Sequence, residues 1–313
     1  MAESFNTLAH LVYLNDANLK DLGLSDLLDE SPALSVLHAQ AASQGTVHKY
    51  LKQTTASSAG FRAAGAGLAK TASADTEITD TLKILDASFH ADVALADGSA
   101  SGRDAYMQRE LVRALKQAFA AVELQIFNGA NSDADGFVGL NDDAQLDAIS
   151  DAMVIAADTA GSTGVSQTSV YFLRSMETDV SVVIGNAGKI VIDDDPVVIE
   201  KVENPGSTND TFPALYCAVT GYVGFQIGGA YSAARICNVE TALTDDDIYE
   251  ALSLFPSGKG CTHICMNRKS MRLLRQSRTA VNATGAAAPF VGEVEGIPVI
   301  VTDGILSTEA VVS

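Results

Sequence analysis

Asn131 to Asp142 read NSDADGFVGLND, with acidic or amide side chains at positions 1, 3 and 5, glycine at 6, an aliphatic at 8 and an acid at 12. This is nearly the spacing of an EF-hand, in which a sharp glycine turn lets alternate oxygens converge on one hard cation. Asp133 and Asp135 are the weak candidates for holding such an ion. Against it, position 1 is Asn131, Asp142 is one methylene shorter than the usual bidentate Glu, and no partner hand appears elsewhere. The preferred reading is a polar turn, with no metal and no cofactor.

Other chemistry is sought with the same result. CTHIC places Cys261, His263 and Cys265 in one window and, on a strand, on one face. Successive members would then sit ~6.6 Å apart, too far for donors on one zinc with bonds of ~2.0–2.3 Å, and a fourth ligand is missing. With no export signal read in MAESFNTLAHLVYL, the four cysteines, Cys217, Cys237, Cys261 and Cys265, are expected as buried thiols. GNAGKI and SGKGC carry Gly-Lys without the glycine spacing or following Ser/Thr of a phosphate loop, and GAGLAK lacks the third glycine of a dinucleotide fingerprint. There is no G-x-S-x-G elbow, and none of His10, His38, His48, His90 and His263 lies in a recognised catalytic signature. Asp193 to Asp195 read as a solvated turn, and Asp245 to Asp247 as a helix start whose charge suits the positive dipole end. Nothing selects a catalytic pair, and no enzyme is read.

The elements that must position any site begin from composition. The 313 residues are 47% hydrophobic and 19% charged, enough for a substantial core. A net charge of −19 argues against a groove that tracks a phosphate backbone. No stretch approaches ~18 uninterrupted apolar residues, so no membrane span is read.

Residues 1–44 read as short helical pieces such as LSDLLDE and SPALSVLHAQ, able to form an extended arm. TVHKYLKQTT suits a strand, and DTLKILDASFHADVALAD reads as a second long one. Between them lies a small-residue stretch in which Phe61, Arg62, Leu68 and Lys70 stand out. Two strands of about ten residues would project roughly 33 Å. A lone ribbon is marginal in water, so it must lie on its own subunit or a neighbour.

Leu111, Leu115, Phe119, Val122 and Ile126 then form one stripe of a long helix. Ser101 and Asp104 stand in capping-box-like spacing before it, and Asn128-Gly129 suits its end. Arg109, Arg113 and Lys116 lie off the stripe, where solvent or a partner can meet them. DAQLDAISDAMVIAADTA reads as a second helix, followed by strands in SVYFL, VSVVIG, KIVID, VVIEKV, ALYCAVTGYVGFQIG and SAARICNV. LTDDDIYEALSLF is a helix capped by Thr244, THICMN a strand, NRKSMRLLRQSRT a basic helix and EGIPVIVTDGIL a late strand. The irregular order favours α+β.

TVHKYLKQTTASSAGFRAAGAG with TEITDTLKILDASFHADVALA resembles the extended loop of tailed-phage major capsid proteins of the Hong Kong 97-type fold. RELVRALKQAFAAVELQIFNG with DGFVGL is similar to that family's spine helix and the segment leaving it. EGIPVIVTDGIL resembles its strand returning to the peripheral domain. The resemblance implies an N-terminal arm (1–44), an extended loop (45–97), a peripheral domain with the spine helix (98–142 and 285–313) and an axial domain (143–284). In this reading GFVGL begins a strand that carries Asp142 away from the other acids.

The implied function is a structural one: self-assembly as pentamers and hexamers into an icosahedral head shell around double-stranded DNA, which is enclosed without sequence-specific binding. Tyr50, Phe61, Arg62, Lys70, Arg109 and Arg113 are the candidate subunit contacts. The implied partners are further copies, a separate scaffolding protein, a portal and a decoration protein where one is used; no membrane is involved. The protein would be made in the host bacterial cytoplasm and reside in the virion. No crosslink is predicted, since no motif assigns a partner to Lys49, Lys52 or Lys70. An encapsulin-type nanocompartment shell is the alternative within the fold. A soluble calcium-binding protein and an α+β enzyme are the alternatives outside it.

Overall fold

The computed structural model describes residues 28, 30–55, 57–67, 72–100, 102–142, 153–157, 166–192, 197–203, 211–229, 231–279 and 292–310. Most of the expected N-terminal arm, Lys70, Ser101, the Asp193 to Asp195 run and most of the expected helix over 143–160 lie outside these residues.

After a 3₁₀ turn at Pro32–Ser35 come β1 (His38–Ala41), β2 (Val47–Thr55), β3 (Ala74–Thr81), β4 (Lys83–Asp86) and β5 (Phe89–Asp92). Helices α1 (Val93–Asp97) and α2 (Arg103–Asn128) follow. Then come β6 (Val154–Ala156), β7 (Thr168–Leu173), β8 (Val180–Ile184), β9 (Val191–Ile192), β10 (Val197–Glu203), β11 (Thr211–Cys217), β12 (Val219–Ile227) and β13 (Ala233–Val239). The chain closes with α3 (Asp245–Ser253), β14 (His263–Met266), α4 (Arg268–Thr279), β15 (Glu293–Val294) and β16 (Ile297–Val301).

Four sheets result. One has the order β1-β8-β12-β4 with β9 also on β12, a second β10-β11-β5, a third β15-β16-β14-β7-β13-β6, and the fourth is the β2–β3 ribbon. The central strands of the third sheet, β7, β13 and β14, are buried on both sides and sort their residues by period two. Tyr171, Leu173 and Cys265 pack into a core with Phe119, Ile126 and Phe127 of α2 and with β8 and β12. Val170, Phe172, Ile264 and Met266 point the other way, into a core with Ile248 and Ala251 of α3 and Leu274 of α4.

The long helix ends at Asn128, where the Asn128-Gly129 pair predicts its end. Leu115, Phe119, Val122 and Ile126 are buried, because a 3.6-residue period returns them to one face. Thr244 caps α3: its Oγ1 accepts from Asp247 N, while Asp247 Oδ2 accepts from Thr244 N at 2.7 Å. Arg278 of α4 reaches Asp245 at 2.7 Å and ties the two helices.

Several expectations are corrected. Residues 80–97 are not one strand. Asp86 Oδ1 accepts from Ser88 N at 2.9 Å and Asp92 Oδ1 from Ala94 N at 2.8 Å. These side chains compete for backbone amides, so the run breaks into β3, β4, β5 and α1. SPALSVLHAQ is a 3₁₀ turn followed by β1, which pairs parallel to β8. Val154 to Ala156, placed in a helix by pattern, instead pair parallel to β13. The N-cap of α2 is Gly102 at φ 85°, with no side-chain cap. GFVGL is not a strand, for a reason that belongs with the loop below.

Candidate assembly surface

The ribbon is built from β2 and β3 in register from Val47 opposite Thr81 to Gln53 opposite Asp75. Its root is tied to the body by polar groups. His48 is buried, with Nε2 2.6 Å from Gln226 Oε1, and its ring stacks on Tyr50 at 5.7 Å. Tyr50 is half-buried, its hydroxyl donating to Ile227 O at 3.5 Å. Burial pushes up both the Tyr50 phenol and the neighbouring Asp80 carboxyl. Leu82 is buried behind the root, and its N–H donates to Thr46 O at 2.9 Å. A Cβ on Gly224 would lie 2.5 Å from Leu82 Cδ2, so glycine makes room for this anchor.

Beyond the root the described tip residues, 57–67, are exposed. Leu51 is 70% exposed and Phe61 fully so. Arg62 beside it is exposed, and its Nη1 donates to Ala66 O at 3.2 Å. Lys49 pairs with Glu77 across the strands at 3.0 Å.

On the outward face of α2, Arg109 and Arg113 share Glu110, at 3.7 and 2.7 Å, and Arg109 lies 5.0 Å over the Tyr106 ring. Such exposed pairs contribute little to stability, about 0–1 kcal/mol, which leaves these arginines available to a partner. The structure thus brings Phe61 and Arg62 together at the tip and Arg109 and Arg113 together on the helix, with Tyr50 at the root. The pattern reading missed Leu51, Ile84 and Leu95, all exposed. Leu51 was visible as a large apolar residue between Tyr50 and Lys52; Ile84 and Leu95 were hidden in the run read as one strand.

The calcium-like loop is an extension of the helix end. Asp142 comes back to the helix instead of moving away. Its carboxylate accepts from Ala130 N at 3.0 Å and from Gly139 N at 2.7 Å. Gly129, at φ 53°, has no room for a Cβ, which would sit 1.8 Å from Asp142 Oδ2. Asp133 Oδ1 accepts from Asp135 N at 2.9 Å, and Gln125 Nε2 donates to Phe137 O at 2.6 Å. The Gln125 and Asp142 bonds hold GFVGL against the helix and bend it out of a strand. Asp142 thus acts as a clasp between the helix end and the loop.

Cys261 and Cys265 pack against different cores, so the single face expected of CTHIC does not form. Cys261 precedes β14 and bonds to the His263 and Leu173 carbonyls. Burial pushes its thiol up to about 12 and that of Cys265 well above the usual range, so both stay protonated. Among the described residues no three His, Cys, Asp or Glu side chains gather as a metal site, and no helix is long and apolar enough to cross a membrane.

A family model described as major capsid protein GP7 matches residues 24–313. A chain from the near-atomic cryo-EM structure of bacteriophage Epsilon15 is similar, with a TM-score of 0.62, 20% identity and 88% of each chain covered. The capsid of bacteriophage JBD30 is similar at a TM-score of 0.49 and 12% identity, over 88% of this chain and 91% of that one. No curated protein sequence matches. The likeness to the Epsilon15 chain fits a mixed α+β chain of Hong Kong 97 type with a 26-residue spine helix. The matched family is structural and not enzymatic. A match over nearly the whole chain, on this fold, places the protein: it belongs to the major capsid protein GP7 family, as a structural component of the tailed-phage head shell.

Proposed function

We propose that the subunit closes the shell by laying its ribbon over a neighbouring copy, within pentamers and hexamers that enclose double-stranded DNA. The observation that carries the reading is the ribbon tip. Phe61 is fully exposed on a ribbon whose root is tied to its own body through His48, Tyr50 and Leu82. A large apolar side chain held out in this way gains free energy only when a partner covers it. Arg62, Arg109 and Arg113 are the polar contacts of the same surfaces, and Lys70, later in the same loop of the sequence, is a further one.

The working division has residues 1–44 as arm, 45–97 as extended loop, 98–142 with 285–313 as peripheral domain and 143–284 as axial domain. A separate scaffolding protein, a portal and a decoration protein are the further partners. The net charge of −19 suits a container that does not grip the genome it encloses.

Negative-stain microscopy of the purified protein, with and without EDTA, tests this. Closed shells or five- and six-fold rings that survive chelation are expected. Monomers that persist in the presence of scaffold, and change shape with calcium, overturn it.

A further inference from the structure

Between β4, the last turns of α2 and the loop that follows them lies a groove of about 240 Å³. Its buried lining is apolar, from Val122, Phe137 and Val223, and Ile84 beside them is 69% exposed. Asp133 and Asp135, both exposed, line it from the loop, and Lys83 from β4. The groove is formed without a partner. Gln125 Nε2 donates to Phe137 O at 2.6 Å and to Asp133 O at 3.1 Å, which fixes the loop and its acids against the helix.

Two features mark this groove as a surface to be covered. β4 ends its sheet, and an edge strand with a large apolar side chain in solvent is a site for unwanted pairing unless something lies on it. The volume is below the ~300–1,000 Å³ of small-molecule pockets and suits one large side chain.

The ribbon tip carries the matching chemistry. In residues 57–67 Phe61 is the only large apolar side chain and Arg62 the only charged one. Aromatic and arginine side chains are the usual anchors of an interface. A ring next to a cation fits an apolar groove with two carboxylates on one side, and the two acids outweigh Lys83. The subunit's own tip does not reach this groove. Val47–Thr55 holds the tip about 30 Å from the root at ~3.3 Å per residue. Lys83 of the groove stands at that root, two residues beyond Thr81, the partner of Val47. Tip and groove are therefore different surfaces, and their contact between copies is head-to-tail, the kind that closes rings.

We propose that this groove seats the ribbon tip of a second copy, with Phe61 against Ile84, Val122 and Phe137 and Arg62 against Asp133 and Asp135. The proposal rests on the reading that the ribbon lies over a neighbouring copy, and it says where on that copy the tip goes. It also gives the acids of NSDADGFVGLND a role: they receive a guanidinium from the next subunit.

The charge match is tested at exposed side chains, where folding is not at stake. Arg62→Glu is expected to raise the protein concentration needed for shells, read by light scattering and electron microscopy, by at least about tenfold, because it sets three carboxylates together. Adding Asp133→Asn and Asp135→Lys to the same chain is expected to bring that concentration back to within about threefold of wild type, since the reversed tip then meets a reversed groove. The contact itself is read with Ala63→Cys and Ser132→Cys in one chain, both at exposed positions, treated with a short bismaleimide after assembly. Head-to-tail seating gives a ladder on denaturing gels that ends at five and six subunits, and either substitution alone gives nothing above a dimer. Shells without the ladder, or Arg62→Glu with no loss or no rescue, overturn the proposal and leave the reading of the ribbon over a neighbour standing. Wild-type protein that stays monomeric with scaffold present overturns both.

Discussion

Arg235 of β13 and Glu309 near the C-terminus are both buried and 3.0 Å apart. Arg235 also donates to Ser169 Oγ at 2.9 Å and Asn141 Oδ1 at 2.7 Å, and lies 5.5 Å over the Tyr171 ring. Burial pushes the Glu309 carboxyl up while Arg235 pulls it down. Removing either partner strands the other charge in the core. Arg235→Met and Glu309→Gln are each expected to lower the stability of the unassembled subunit by about 3–5 kcal/mol in urea unfolding. The double variant is expected to lose less than the sum by more than about 1 kcal/mol; additive losses would show that the pair does not act as a unit. Neither residue carries a sequence signal for this role, because the partners lie 74 positions apart.

At the scale of elements, the ribbon is the part whose role separates folding from assembly. Its root buries His48 and Leu82 in the body, whereas none of the described tip residues, 57–67, belongs to either core. Replacing residues 57–67 by a short Gly-Ser turn should leave circular dichroism and the unfolding midpoint unchanged and abolish shells in electron microscopy. Phe61→Ala should weaken assembly by the loss of an interface anchor, about 2 kcal/mol per contact, read as a higher critical concentration. Assembly at wild-type concentration with either variant would remove the tip from the interface. The spine helix was legible to its last residue, since a 26-residue amphipathic period leaves little choice. The run over 80–97 was not, because β-compatible residues continue across Asp86 and Asp92, whose side-chain bonds end each piece.

For the whole molecule, a charge of −19 sets the expectation for nucleic acid. The unassembled subunit should not retard duplex DNA even at low salt, where phosphate contacts are strongest. A salt-sensitive shift would mean a local basic surface that the overall charge conceals. What the sequence by itself determined was local: the long helix, the Thr244 cap, the basic helix over 268–279 and the period of the core strands, all written in residues within a few positions of each other. The tertiary structure alone decided which strands share a sheet, that Asp142 clasps the helix end, and that Cys261 and Cys265 serve different cores. The physical reason is range. Periodicity and capping act over one or two turns of chain, whereas strand pairing, buried charge and the ribbon's anchorage depend on partners brought from far along the sequence by packing.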